Sequence, residues 1–252
     1  MNYDGEIIAM KRTAIITGAT RGIGRGLFHR LAKSKANIAT IYHKDVDSAS
    51  RFESEAKKGG IEYIIEKMDI TDFEHIPKFV EKVINKFGRI DYLINNVGVD
   101  IWGDIADISL KEWEKSQDVI LNAPFIFCKH VLPIMRKQKF GRIINIGASS
   151  KNYMTGVPGL APFSVNKAAL TVFTKTLALE EIKYGITVNM VAPGSTRDAG
   201  VIPEKNRIPI SQIPIGRRVE IDEVVDAIMY FLSENANGVT GQFVGVNGGL
   251  ST

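Results

Sequence analysis

Short apolar runs rich in β-branched residues alternate with longer amphipathic segments along the chain. This alternation is typical of parallel strands joined by helices, because such strands are buried on both faces while each helix buries only one. The pattern predicts seven strands, at Thr13–Thr17, Asn37–Tyr42, Glu62–Lys67, Tyr92–Asn95, Arg142–Ile146, Thr187–Ala192 and Phe243–Val246. We therefore expect an α/β fold with a doubly wound, parallel, seven-stranded sheet that has helices on both faces.

Local sequence signals bound the helices between these strands. The predicted helices include Gly22–Ser34, Val46–Lys58, a segment ending at Phe87, Val165–Tyr184 and Glu220–Ser233. Two capping-box patterns, Thr71 with Glu74 and Ser109 with Glu112, predict two helix starts. The helix after Ser109 is expected to break near Asn122–Pro124, because proline disrupts a helix interior.

Composition is that of an ordinary globular protein. The 252 residues are 44% hydrophobic and 24% charged. This length and composition favour one domain that spans residues 1–252. The net charge is +4, and the lysines and arginines are scattered, so we expect no nucleic-acid partner. The lone Cys128 excludes a disulfide within one chain. The four histidines lack metal-ligand spacing, so we expect no metal site.

We also expect no membrane partner. No apolar run approaches the roughly 20 residues that span a bilayer. The first ten residues include Asp4 and Glu6 and lack the basic start of a signal peptide. These observations predict a cytoplasmic protein.

A glycine-rich turn separates the first predicted strand from the first predicted helix. The run Thr17–Gly24 (TGATRGIG) has the spacing Gly-x-x-x-Gly-x-Gly. Glycine permits positive φ and a close backbone approach, which a sharp strand-to-helix turn needs. The helix start that follows presents N–H groups to an anion such as a pyrophosphate. Between a strand and a helix, this motif predicts dinucleotide binding and not only a tight turn.

This motif resembles Thr-Gly-x-x-x-Gly-x-Gly of the short-chain dehydrogenase/reductases, which bind a nicotinamide dinucleotide on a Rossmann-type sheet. The run Asn95–Gly98 resembles the family's Asn-Asn-Ala-Gly, with Val97 in place of alanine. The resemblance covers nearly the whole chain. Within the family, Ile213–Arg217 and Thr240–Gln242 look like the 3-oxoacyl-[acyl-carrier-protein] reductases.

The resemblance implies cofactor-binding roles for residues that follow several of the predicted strands. They are Gly18, Thr20, Arg21, Gly22, Ile23, Gly24, Tyr42, His43, Lys44, Asp69, Ile70, Asn95, Val97, Gly98, Lys167, Pro193, Gly194, Ser195 and Thr196. In this family the residue matched by Asp69 typically contacts the adenine amino group. The segment matched by Pro193–Thr196 flanks the nicotinamide carboxamide.

The second predicted strand ends without the acidic residue that pairs with the ribose 2′-OH of NAD. Arg21 and Lys44 suit the 2′-phosphate of NADP instead, although two solvated surface cations are the plainer explanation. Asp45 follows closely and argues for NAD. We expect NADP(H) to be favoured over NAD(H).

The family's Tyr-x-x-x-Lys pair is only half present, because Phe163 stands where the tyrosine is expected and Lys167 supplies the lysine. In the family the tyrosine protonates the carbonyl oxygen, the lysine holds the ribose, and the residue matched by Asn122 holds a water. A serine contacts the same oxygen, here Ser150 or, as second choice, Ser149. Phenylalanine cannot donate a proton, and a positioned general acid contributes ~10²–10⁴-fold.

Three explanations of Phe163 stay open. It is an engineered Tyr→Phe substitution, or it marks a natural relative that binds dinucleotide as an inactive or regulatory module, or another group such as Tyr153 or Ser164 donates the proton. We predict an impaired NADP(H)-dependent reductase of ketones or secondary alcohols, with a 3-oxoacyl thioester as one substrate class. The loop 193–214 is expected to cover the substrate, and the two long helices to build a homotetramer or homodimer.

Overall fold

The computed structural model describes residues 11–148, 156–197 and 208–250. Their strands are β1 (Thr13–Thr17), β2 (Asn37–Tyr42), β3 (Tyr63–Lys67), β4 (Tyr92–Asn95), β5 (Gly141–Ile146), β6 (Ile186–Pro193) and β7 (Phe243–Val246). All neighbouring strands pair in parallel, in the order β3-β2-β1-β4-β5-β6-β7. The predicted seven-stranded, doubly wound sheet is confirmed, and every strand boundary lies within one residue of its prediction.

Helices cover both faces of the sheet. They are α1 (Gly22–Lys33), α2 (Val46–Lys58), α3 (His75–Phe87), α4 (Leu110–Gln117), α5 (Ala123–Gln138), α6 (Ala161–Glu181) and α7 (Ile221–Leu232). Residues of α1, α2 and α7 pack in one buried cluster with Ile16 of β1, while residues of α3, α5 and α6 pack in another with Ile15. Consecutive strand residues point to opposite faces, so each buried strand feeds both clusters.

The order in which successive strands are added to the sheet reverses at β1, which pairs with β2 on one side and β4 on the other. In doubly wound sheets a crevice forms beyond the carboxyl ends of the strands at this switch point, and ligands bind there. The glycine-rich turn after β1 and the segment Asn96–Gly98 after β4 both lie at this edge.

One predicted helix start is wrong and the other is confirmed. Glu74 precedes α3 with helical backbone angles and no side-chain cap bond. The Asp72 carboxylate accepts from the His75 N–H instead, at 3.2 Å. Thr71 uses its hydroxyl to donate to Asp69, at 2.9 Å. By contrast, α4 begins with the expected capping box between Ser109 and Glu112.

The predicted break near Asn122–Pro124 is also wrong. A π-helical segment, Asp118–Asn122, joins α4 to α5 without interruption. Pro124 is the second residue of α5, directly after the π-helical segment, and it is accommodated there without a break in the helix. The long helix α6 begins at Ala161, four residues before its predicted start, and Pro162 lies in its first turn, where a missing N–H costs nothing. Phe163 and Lys167 therefore lie on one helix.

The continuous stretch Leu110–Gln138 is 29 residues long and apolar enough, by length and composition, to cross a membrane. This differs from the expectation that no apolar run is long enough to span a bilayer. Half of its apolar window is buried inside the protein. Buried core helices of globular domains pass the same test, so the stretch is weak evidence for a membrane partner.

Candidate functional site

The turn from β1 to α1 depends on its glycines. Gly18 and Gly22 have φ values of +73° and +54°, in the left-handed region that disfavours side chains. An ideal Cβ on Gly24 would lie 2.2 Å from the Gly18 carbonyl oxygen. Only glycine at these positions lets the start of α1 close against the backbone of the turn.

The segment after β4 fixes this turn in place. The Asn96 amide donates to the carbonyl oxygens of Thr17, at 2.9 Å, and Gly18, at 3.3 Å. The Thr17 hydroxyl oxygen accepts from the backbone N–H groups of Asn96, at 2.9 Å, and Val97, at 3.2 Å. These four bonds join the carboxyl ends of β1 and β4, on either side of the crevice.

The start of α1 is open to an anion. Arg21 precedes the helix with an extended backbone and makes no side-chain cap bond, and the first turn carries no acidic residue. The first N–H groups of a helix need a partner and carry a partial positive charge. A pyrophosphate fits this cradle, because Gly18 and Gly24 leave the space that side chains would fill.

Polar side chains follow β2 and β3 at the same edge. His43 Nε2 lies 3.4 Å from Asp69 Oδ2. Burial alone would raise the pKa of Asp69, but hydrogen bonds from Thr71, with the nearby charges of His43 and Lys115, lower it overall. The Asp69 carboxylate is therefore ionised at neutral pH, beside the half-exposed His43 ring.

Asp45, the residue that argued for NAD, is engaged within the protein. Its carboxylate accepts from the Ser48 N–H at 3.0 Å and caps α2. Its pKa is lowered chiefly by that bond, and Arg21 and Arg51 contribute through their charges. Arg21, after β1, and Lys44, after β2, are both exposed at this edge of the sheet.

Lys167 lies at the other end of the crevice, in α6. Its ammonium donates to the Ile146 carbonyl oxygen at 2.6 Å, where β5 ends. Burial lowers the pKa of Lys167 to about 8, against the opposing effect of Asp100. Lys167 therefore brings a largely desolvated, readily titrated positive charge to the crevice.

Phe163 stands one helical turn before Lys167 and faces the same way. The Lys167 Nζ lies 5.5 Å from the centre of its ring. The half-buried ring packs beside the buried residues Ile120, Leu170 and Met190. On this face of α6 the lysine is thus accompanied by an aromatic ring without a hydroxyl.

Asn122 ends the π-helical segment, and α6 packs against that segment. Its amide donates to Asp118 Oδ1 at 2.8 Å. Single π turns inside α-helices often occur at functional sites. Ser149, Ser150 and Tyr153 lie outside the described residues.

The segment after β6 packs against the end of β7 and against Val219. An ideal Cβ on Gly194 would lie 2.7 Å from the Asn247 Cα, so glycine permits a close approach to the end of β7. The Ser195 carbonyl oxygen accepts from the Val219 N–H at 3.0 Å, and the Thr196 hydroxyl donates to the Gly194 carbonyl oxygen at 3.1 Å. Of the predicted loop 193–214, residues 198–207 lie outside the described part.

One predicted cofactor residue points elsewhere. The Asn95 side chain is buried, and its amide donates to Asn145 Oδ1 at 2.8 Å within the sheet. The neighbouring Asn96 makes the contacts to the glycine turn. Among the described residues, no cluster of three or more histidine, cysteine or acidic side chains could hold a metal ion.

Comparison with known proteins agrees with this geometry. A family model described as enoyl-(acyl carrier protein) reductase matches residues 18–251. The chain is 34% identical to the 3-oxoacyl-[acyl-carrier-protein] reductase FabG of Haemophilus influenzae, covering 95% of this chain and 98% of that protein. It is 32% identical to FabG of Staphylococcus epidermidis, covering 96% and 99%. The chain belongs to the short-chain dehydrogenase/reductase family.

The fold of this family member also matches a solved relative. The crystal structure of the acetoin dehydrogenase YohF from Salmonella typhimurium superposes with a TM-score of 0.85 at 30% identity, over 96% of each chain. Membership implies a nicotinamide dinucleotide as cofactor, and the cradle at the start of α1 fits its pyrophosphate.

One acidic residue near Lys167, Asp100, is not recognisable from the sequence of this short-chain dehydrogenase/reductase. Asp100 lies in the loop after β4, close enough to Lys167 for each charge to affect the pKa of the other. An aspartate two residues beyond Asn-Asn-Val-Gly looks like any other loop residue. Only the fold, which brings the end of β4 beside α6, places it at the crevice.

Replacing Gly24 by alanine tests the cradle. The new Cβ would collide with the Gly18 carbonyl oxygen and push α1 away from the turn, so we expect Gly24→Ala to weaken dinucleotide binding at least about tenfold, or ~1.4 kcal/mol. NADPH fluorescence titration measures this. Gly238→Ala is the matched control, because nothing lies within 4 Å of a Cβ there. Equal affinities in the two variants would show that α1 does not hold the cofactor.

Proposed function

We propose that this chain is an NADP(H)-dependent oxidoreductase that moves hydride between the nicotinamide and a ketone or secondary alcohol. The observation that carries the proposal is the placement of two features at one edge of the sheet. They are the open start of α1, which suits a pyrophosphate, and the buried ammonium of Lys167. The names of the FabG relatives support a 3-oxoacyl thioester as the substrate class.

The residues divide between binding and chemistry. When bound, the reduced nicotinamide supplies the hydride. The glycine turn and α1 hold the pyrophosphate, and Lys167 holds the ribose hydroxyls through its ammonium, as the family resemblance implies. Asn122, with Ser150 or Ser149, orients water and the carbonyl oxygen, while Pro193–Thr196 flank the carboxamide. In this arrangement the protein orients the cofactor and the substrate and supplies the positive charge of Lys167, and it forms no covalent bond to either.

The preference for NADP(H) rests on charge at the adenosine end. Arg21 and Lys44 are exposed there, and β2 ends without an acidic residue. Asp45 is occupied as the cap of α2, which leaves it poorly placed to accept from a ribose hydroxyl. A guanidinium forms strong, charge-assisted bonds with a phosphate, so Arg21 favours the 2′-phosphate.

Arg21→Ala tests this preference. We expect it to weaken NADPH binding about tenfold or more while changing NADH binding little, because only NADPH carries the 2′-phosphate. Titration with both cofactors at one ionic strength measures the change. Arg30→Ala, near the other end of α1 and paired with Asp226, is the matched control. Equal losses for NADPH and NADH would contradict the preference.

Phe163 makes this chain an impaired member of its family. A ring without a hydroxyl cannot protonate the carbonyl oxygen as hydride arrives. The alternative function is a dinucleotide-binding or regulatory module without turnover. The intact Lys167 and Asn122 favour the reductase, because a pure binding module has no need of the π-helical segment that carries Asn122.

Phe163→Tyr separates these two functions. Restoring a positioned acid should raise kcat by ~10²-fold or more, with NADPH affinity little changed. NADPH oxidation with a 3-oxoacyl thioester and a panel of small ketones measures the rate. Phe173→Tyr, which adds a hydroxyl farther along the same helix, should leave kcat unchanged. A Phe163→Tyr protein that binds NADPH yet stays inert on every substrate would favour the binding module.

We expect the protein to be a cytoplasmic homotetramer or homodimer. The long helices α5 and α6 expose the apolar side chains of Phe125, Val172 and Leu179. Contiguous exposed apolar surface commonly marks an interface. Sedimentation of the purified protein counts the copies, and a monomer at micromolar concentration would contradict this expectation.

A further inference from the structure

The loop after β4 holds a carboxylic acid beside the position that lacks a hydroxyl. An ideal Cβ on Gly98 would lie 3.8 Å from the Lys167 Nζ, so this loop passes directly over the lysine. Val99 packs with Phe163 around the buried residues Ile120 and Leu170. Asp100 is the next residue. The backbone is thus held against both members of the Phe163–Lys167 pair immediately before Asp100.

The Asp100 carboxyl interacts with the charge of Lys167 and has no hydrogen-bond partner among the described residues. The other acids near the crevice, Asp45 and Asp69, are occupied by hydrogen bonds from Ser48 and Thr71. Within the described part of the chain, no hydrogen bond and no ion pair within 4 Å engages Asp100. Its side chain reaches solvent. Exposed carboxylates are ordinarily solvated, so the feature that distinguishes Asp100 is its place beside the buried Lys167 ammonium.

Lys167 is the charged group that acts on Asp100. The surrounding protein makes the ionised carboxyl less favourable and raises the pKa of Asp100 above its usual value, while the Lys167 ammonium opposes that rise. The two effects suit an acid that gives up a proton beside a positive charge. The carboxylate that results is stabilised by the ammonium it faces.

We propose that Asp100 is the proton donor for the turnover that this chain retains without the phenol. The inference rests on the proposed function. Hydride from the nicotinamide reaches the carbonyl carbon, the C=O π electrons move to the oxygen, and that oxygen takes the proton from the Asp100 carboxyl. The carbonyl is reduced to the alcohol, the nicotinamide is oxidised, and Asp100 is left as a carboxylate facing Lys167. Solvent returns the proton, which the exposure of Asp100 allows.

A two-by-two set of variants tests this role. Asp100→Asn keeps the size of the side chain but cannot act as an acid. In the unmodified chain it should lower kcat at least about tenfold, with NADPH affinity unchanged. With Phe163→Tyr also present, the phenol donates the proton, and Asp100→Asn should lower kcat less than about threefold. Asp100→Glu should restore part of the lost rate. Asp107→Asn, an exposed acid of the same loop, is the matched control.

Two further measurements do not depend on which substrate is chosen. Infrared difference spectra of the unmodified chain against Asp100→Asn should show one carboxyl that titrates above the usual aspartate range. As pH rises, kcat should fall when the proton donor becomes deprotonated. This fall should occur at lower pH in the unmodified chain than in Phe163→Tyr, whose donor is a phenol. In both readouts Lys167 is the charge that faces the titrating group.

The outcomes separate this inference from the proposed function. An equal loss from Asp100→Asn in both backgrounds would show a structural role and overturn the inference. An inert unmodified chain with an active Phe163→Tyr variant would also overturn it, while leaving the reductase proposal in place. If both proteins bind NADPH and neither turns over a carbonyl substrate, both proposals fail. An Asp100 carboxyl that titrates in the usual aspartate range would overturn the inference whatever the rates.

Discussion

The close approach of α1 to the backbone of the turn before it is the contact on which the site depends. Gly24 leaves no side chain between the helix and the Gly18 carbonyl oxygen, and Asn96 holds the same oxygen from the neighbouring strand β4. This contact sets the direction in which α1 points its unpaired N–H groups. It also fixes the spacing between β1 and β4 at the switch point of the sheet, where the crevice opens.

The second constraint is a buried positive charge. Taking the Lys167 ammonium out of water is costly, and the structure offsets part of that cost with the Ile146 carbonyl oxygen and the Asp100 carboxyl. A dinucleotide with ribose hydroxyls near the ammonium would offset more. The apolar side chain at Phe163 deepens the desolvation, because a phenol would have offered the ammonium a hydrogen-bonding group on the same helix face.

Much of the fold was predictable, because buried parallel strands read as apolar runs that glycine and proline interrupt. The strand boundaries came within one residue for that reason. The predicted helix starts and breaks failed where local alternatives competed. Asp69 and Asp72 took the bonds that a Thr71–Glu74 box would have made, and Pro124 and Pro162 proved to lie in first turns. The glycine turn and Lys167 were recognisable from their motifs. The position of Asp100 beside Lys167 and the inward orientation of the Asn95 side chain were not recognisable from the sequence. Both depend on which distant element packs beside the residue.

A crystal structure of this chain with NADPH would test these assignments directly. We expect the pyrophosphate at the start of α1, the 2′-phosphate between Arg21 and Lys44, and the ribose next to the nicotinamide in contact with Lys167. A dinucleotide bound with its 2′-phosphate away from Arg21, or with its nicotinamide far from Lys167, would contradict the proposed binding mode.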